Sequence, residues 1–109
     1  MSETETALAR EITRDQLLAE LRALRPAFER EGVTHMALFG SRARGDNRPD
    51  SDVDLMIDIK KGIKFSLLDL AGIHHIVEDH VQVPANVHMR RSMKPSMRAQ
   101  VDRDKVDIF

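Results

Sequence analysis

Ser41, Asp52 and Asp54 have the side-chain types and the spacing for metal-dependent phosphoryl chemistry. Asp52 and Asp54 stand two apart where an apolar run begins, so on a strand their carboxylates project the same way. Two like charges held that close repel each other unless a cation sits between them. Hard oxygen ligands of this kind suit Mg²⁺, which takes one or two carboxylates and completes its shell with phosphates and water. Upstream, Gly40-Ser41 ends another apolar run. Glycine lets the backbone approach closely, and Ser41 can offer its hydroxyl and amide to phosphate oxygens. A short helix starting at Ser41 favours the same anion. Together these parts allow in-line attack at a nucleotide α-phosphate. Bound metals, roughly 3.5–4 Å from each other if there are two, align the attacking and leaving oxygens. Arg42, Arg44 and Arg48 flank the turn and are candidate forked cations for a triphosphate. Solvated surface is the competing reading for Arg42 and Arg48, while Arg44 reads first as a brace of the motif loop.

The elements around the motif follow from periodicity. Residues 1–12 read as a poorly ordered lead or weak helical turn, and residues 13–109 as one domain. Thr13 is a candidate N-cap, with Leu17, Leu21, Leu24 and Phe28 on one helical face. Pro26 kinks or splits that helix, and Gly32 terminates it. Val33 to Phe39 reads as a buried strand, Ser41 to Gly45 as a short helix and Asp46 to Ser51 as a turn-rich loop. In the strand Val53 to Ile59, Asp52, Asp54, Met56 and Asp58 share one face and Val53, Leu55, Ile57 and Ile59 the other. Ser66 caps a helix to about Asp79, with Leu67, Leu70, Ile73 and Val77 inward. A strand near Val83 to Met89, a helix opened by Ser92 and Pro95, and a short added strand over Val106 to Phe109 complete the order. The predicted fold is α/β: a small mixed sheet with helices mainly on one face.

Composition narrows the function classes. The chain has 109 residues, 41% hydrophobic and 32% charged, which fits one small globular domain. Net charge is −1, and tryptophan and tyrosine are absent. That predicts neither a nonspecific nucleic-acid field nor a base-stacking platform, so no direct nucleic-acid binding is expected. Without cysteine there is no disulfide or thiolate metal site, and a cytoplasmic location is expected. The polar, acidic start is no signal peptide, and no apolar run reaches membrane-spanning length. His74 and His75 are adjacent and point apart on a helix, so a zinc site there is disfavoured.

The segment resembles the minimal nucleotidyltransferases of the DNA polymerase β-like nucleotidyltransferase superfamily. Their pattern, Gly-Ser-x-Ala-Arg-Gly, a turn-rich spacer, then Ser-Asp-x-Asp-Leu, is matched by Gly40, Ser41, Ala43, Arg44, Gly45, Ser51, Asp52, Asp54 and Leu55. The resemblance implies that Asp52 and Asp54 are catalytic and hold Mg²⁺. It implies that Gly40, Ser41, Arg42, Arg48 and Ser51 face the nucleotide. Many members are antitoxins paired with HEPN-domain ribonuclease toxins. They use Mg-ATP to attach AMP to a toxin tyrosine. The implied partners are therefore ATP and a HEPN toxin in a hetero-oligomer, with no membrane. A chain this short has no second domain to hold an acceptor.

One departure bears on turnover. The family carries a third carboxylate on the next strand, ahead of a Lys-Pro helix start. Here Pro84-Ala85-Asn86-Val87-His88-Met89 precedes Lys94-Pro95, and Asn86 falls at that position. Asparagine offers a neutral oxygen but is no general base. Three readings stay open: reduced chemistry with retained partner binding, His88 as the base, or Glu78 or Asp79 as the carboxylate.

Overall fold

A computed structural model describes residues 10–109. The lead expected over 1–12 lies outside these residues up to position 9. Its last part is tied down: Arg10 donates to Glu20 and to the Val81 carbonyl, and Ile12 is buried. Helix α1 (Arg14–Ala23) starts at a capping box, in which Thr13 accepts from the Gln16 amide and Gln16 reaches back. Pro26 has no amide to give a preceding turn, so the chain breaks at Leu24 and restarts as α2 (Arg25–Arg30). Gly32, at φ +96°, turns the chain into β1 (Val33–Phe39). There follow α3 (Ser41–Arg44), β2 (Val53–Ile59), α4 (Leu67–Val81) and β3 (Ala85–Met89). A single 3-10 turn over Arg90–Ser92 leads to α5 (Pro95–Asp104) and β4 (Val106–Asp107).

The sheet runs β3-β2-β1-β4. β1 pairs antiparallel with β2 and β4, and β2 pairs parallel with β3 through the α4 crossover. One face carries the main core: Val33, Met36, Leu38, Val53, Leu55 and Ile57 pack against Leu17, Leu21, Phe28, Ile73 and Val77. Each such side chain taken fully out of water contributes roughly 1.5–3 kcal/mol. The other face is covered in part by Met93 and by Val101 of α5, which meet Ala37 and Met56. The rest of that face stays open, and the Asp-x-Asp pair lies there. No helix among the described residues is long and apolar enough to cross a membrane.

Leu67 corrects one expectation. It does not pack inward: Leu67 and Leu68 are 79% and 84% exposed. The first turn of α4, capped by Ser66, leaves Leu67 on the wall of an open groove shared with Met89 and Met93 instead of in the core.

Candidate active site

The site begins where β1 stops. Gly40 has φ +76° and ψ −159°, and its carbonyl accepts from the amides of Ala43 and Arg44, both at 3.1 Å. That starts α3. Gly45, at φ +88°, ends it, and its amide donates to the Ser41 carbonyl at 2.8 Å. Four residues therefore separate two left-handed glycines. Phe39 pairs with Asp54 across the β1–β2 ladder, so the Asp54 carboxylate lies over Gly40. A β-carbon at residue 40 would meet Asp54 Oδ2 at 2.4 Å. Only glycine leaves the carboxylate that room.

The loop between α3 and β2 is braced from within. Ser51 Oγ accepts the Arg48 amide at 2.9 Å, and the Ser51 amide donates to the Arg48 carbonyl at 3.0 Å. Arg42 turns inward and is 3% exposed. Its Nε donates to the Ser51 carbonyl at 3.0 Å and its Nη2 to the Pro49 carbonyl at 3.3 Å. Burial lowers its pKa, and the Asp52 charge acts the other way. Arg42, expected to face a nucleotide, turns inward instead, where it meets the backbone carbonyls of Ser51 and Pro49. Arg44 braces as expected, donating to Asp46 and to Asp104 of α5, each at 3.1 Å. The Arg48 side chain is exposed and makes no hydrogen bond among the described residues.

Asp52 precedes β2 and is exposed; Asp54 is half-buried within it. Asn86 lies beside Asp54 in the parallel β2–β3 register. Its Nδ2 donates to Asp52 Oδ2 at 3.0 Å and to Asp54 Oδ1 at 3.3 Å. Both carboxylates therefore reach one point, where an amide nitrogen quiets their repulsion. Two hard anionic oxygens converging there, above a glycine that clears the space, fit a small divalent cation. The set is lean. Among the described residues, no group of three or more His, Cys, Asp or Glu side chains could hold a metal.

The two other candidate carboxylates lie elsewhere: Asp79 is exposed on α4. Glu78 Oε2, on the opposite face with α4, accepts the Ala85 amide at 2.8 Å. His74 Nε2 accepts the Val87 amide at 3.2 Å, which makes His74 structural. Asp58 shares the open face but bonds to His35 at 3.1 Å, away from the pair. His88 follows Asn86 on the same face, with its ring centroid 5.8 Å from that of Phe39.

A cleft of about 410 Å³ gathers Gly40, Ser41, Asp54, His88, Gln100 and Asp104. Gln100 and Asp104 come from α5, and no local sequence signal ties them to a motif about half a chain away; the Asp104 pairing with Arg44 is visible only in the fold. A larger groove of about 590 Å³ adjoins it through His88 and Met97. That groove is walled by Leu67, Leu70, Met89 and Met93 and holds no carboxylate, whereas the smaller cleft holds Asp54 and Asp104.

The family model for the nucleotidyltransferase domain matches residues 15–108. A Thermococcus cleftensis protein named protein adenylyltransferase MntA is 32% identical over 80 residues, which cover 73% of this chain and 79% of that protein. A solved structure provisionally described as a minimal nucleotidyltransferase superposes with a TM-score of 0.76 at 31% identity, covering 88% of this chain and 96% of that one. A chain from the complex of tri-AMPylated Shewanella oneidensis HEPN toxin with MNT antitoxin shares the fold at a TM-score of 0.65 and 11% identity, with 89% and 72% covered.

Proposed function

The chain belongs to the nucleotidyltransferase domain family, and we propose that it is an antitoxin that transfers AMP from Mg-ATP to a tyrosine of a HEPN ribonuclease toxin. One observation carries this reading: Asp54 seated over Gly40 beside Ser41, with Asp52 converging on the same point. The similarity to a protein named as an adenylyltransferase supports the chemistry. The fold shared with a chain of a HEPN–MNT complex supports the partner. The toxin and this chain form a hetero-oligomer in the cytoplasm.

In this reading the Gly40–Ser41 turn receives the triphosphate, with the Ser41 hydroxyl and amide as donors and Arg48 as the outer cation. Arg42 and Ser51 hold the loop that sets Asp52. Asp52 and Asp54 would hold Mg²⁺, which would neutralise charge on the phosphates. The tyrosine oxygen bonds to the α-phosphorus as the bond from that phosphorus to its bridging oxygen breaks, and pyrophosphate leaves. His88 is the imidazole lining the cleft, and a ring nitrogen of it takes the hydroxyl proton. The acceptor enters from the partner, since the cleft opens outward beside the apolar groove. Intact-mass analysis of the toxin after incubation with this chain and Mg-ATP tests the reading, an unchanged mass counting against it.

A second reading is favoured by Asn86, which supplies no third charge to the pair. In it the chain neutralises its toxin by contact alone. Asp52→Ala with Asp54→Ala separates the two: contact alone survives it, whereas lost neutralisation with the complex intact excludes contact alone.

A further inference from the structure

We propose that Asn86 makes entry of the divalent cation conditional on entry of the nucleotide. This rests on the nucleotidyl-transfer reading and concerns a side chain whose own part in it is unassigned.

Asn86 Nδ2 lies 3.0 Å from Asp52 Oδ2 and 3.3 Å from Asp54 Oδ1. Among the described residues it is the sole hydrogen-bond donor reaching either carboxylate side chain. The amide therefore sits where the two anions converge and does part of a cation's work. A metal ion arriving alone must displace that donor, and it gains only two charged ligands. The amide can serve the metal only by turning over to present its oxygen. The strand cannot shift to help. The amides on either side, of Ala85 and Val87, are held by Glu78 and His74 at 2.8 and 3.2 Å. A triphosphate changes the balance, because its oxygens supply the missing anionic ligands. Metal and nucleotide then bind cooperatively, each raising the other's affinity by the same factor.

Asn86→Asp keeps the shape and adds the third charge. Without nucleotide, that variant repels itself and takes metal unaided. Mn²⁺ titration followed by electron paramagnetic resonance, with no nucleotide present, reads this directly. Asn86→Asp is expected to bind Mn²⁺ at least about tenfold more tightly than wild type. Its melting temperature is expected below wild type without metal and restored by Mn²⁺, while that of wild type responds to Mn²⁺ only with the analogue AMP-PNP present. Equilibrium dialysis of AMP-PNP with and without Mg²⁺ measures the coupling, expected larger in wild type than in Asn86→Asp. Wild type that binds AMP-PNP yet takes Mn²⁺ alone as tightly as Asn86→Asp overturns the role of Asn86 and leaves the nucleotidyl-transfer reading standing. Failure of AMP-PNP to bind any of these proteins with Mg²⁺ sinks both.

Discussion

Asp54 fills the space that a β-carbon on residue 40 would need. That carbon would lie 2.4 Å from Asp54 Oδ2, 3.2 Å from its Cγ and 3.3 Å from its Cβ, so the carboxylate cannot swing clear by moving its tip alone. Gly40 also holds φ +76°, which side-chain-bearing residues avoid. Gly40→Ala should therefore cost about 1–3 kcal/mol of stability and displace Asp54. Gly45 is a matched control, at φ +88° with nothing within 4 Å of its would-be β-carbon. Gly45→Ala should cost about 1–2 kcal/mol and leave binding of Mg²⁺ with AMP-PNP nearly intact. Thermal melts and calorimetry compare them; equal losses of binding would contradict the placement of Asp54.

The free edge of β3 is closed by α4. His74 and Glu78 stand one turn apart on the helix and accept the amides of Val87 and Ala85, two apart on the strand. Replacing either by alanine strands a backbone donor, at a cost of about 1–3 kcal/mol. Glu78→Gln keeps an acceptor and should cost less. Urea unfolding measures the order; a Glu78→Gln loss equal to that of Glu78→Ala would contradict it.

Acid should weaken the fold through exposed carboxylate pairs. Glu20 is held below the usual carboxylate range by its hydrogen bond from Arg10. Asp107 is held below it by Lys105 and then His35. A depressed carboxylate contributes stability that is complete above its unfolded value and is lost as pH falls through the folded one. The melting temperature should therefore be level with respect to these pairs above the ordinary carboxylate value of about 4 and fall below it. Glu20→Gln should flatten that fall by no more than about 1 kcal/mol, since both partners are about one-third exposed. A pH-independent difference between Glu20→Gln and wild type would exclude the linkage.

Much of the fold was legible because its punctuation is local. Thr13 with Gln16 and Ser66 with Asp69 mark helix starts through reciprocal hydrogen bonds, and Gly32 marks a stop that needs positive φ. The face bearing Asp54 followed from period two in β2. What the chain order hides is what lies opposite a residue. Leu67 keeps the helical period but lines an open groove. Arg42 and Arg48 look alike beside the motif, yet the inward side of α3 takes one and leaves the other in solvent. Gln100 and Asp104 reach the cleft only because α5 crosses the open face, which no local pattern encodes.

AMP transfer is the central claim, and the mass of the acceptor tests it most directly. A HEPN protein, the proposed partner, is incubated with this chain and Mg-ATP, and its intact mass is recorded. The expected result is a gain in whole AMP units, lost on replacing the acceptor tyrosine and lost with Asp52→Ala and Asp54→Ala. An unchanged toxin mass, with the complex formed and the toxin silenced, would contradict it.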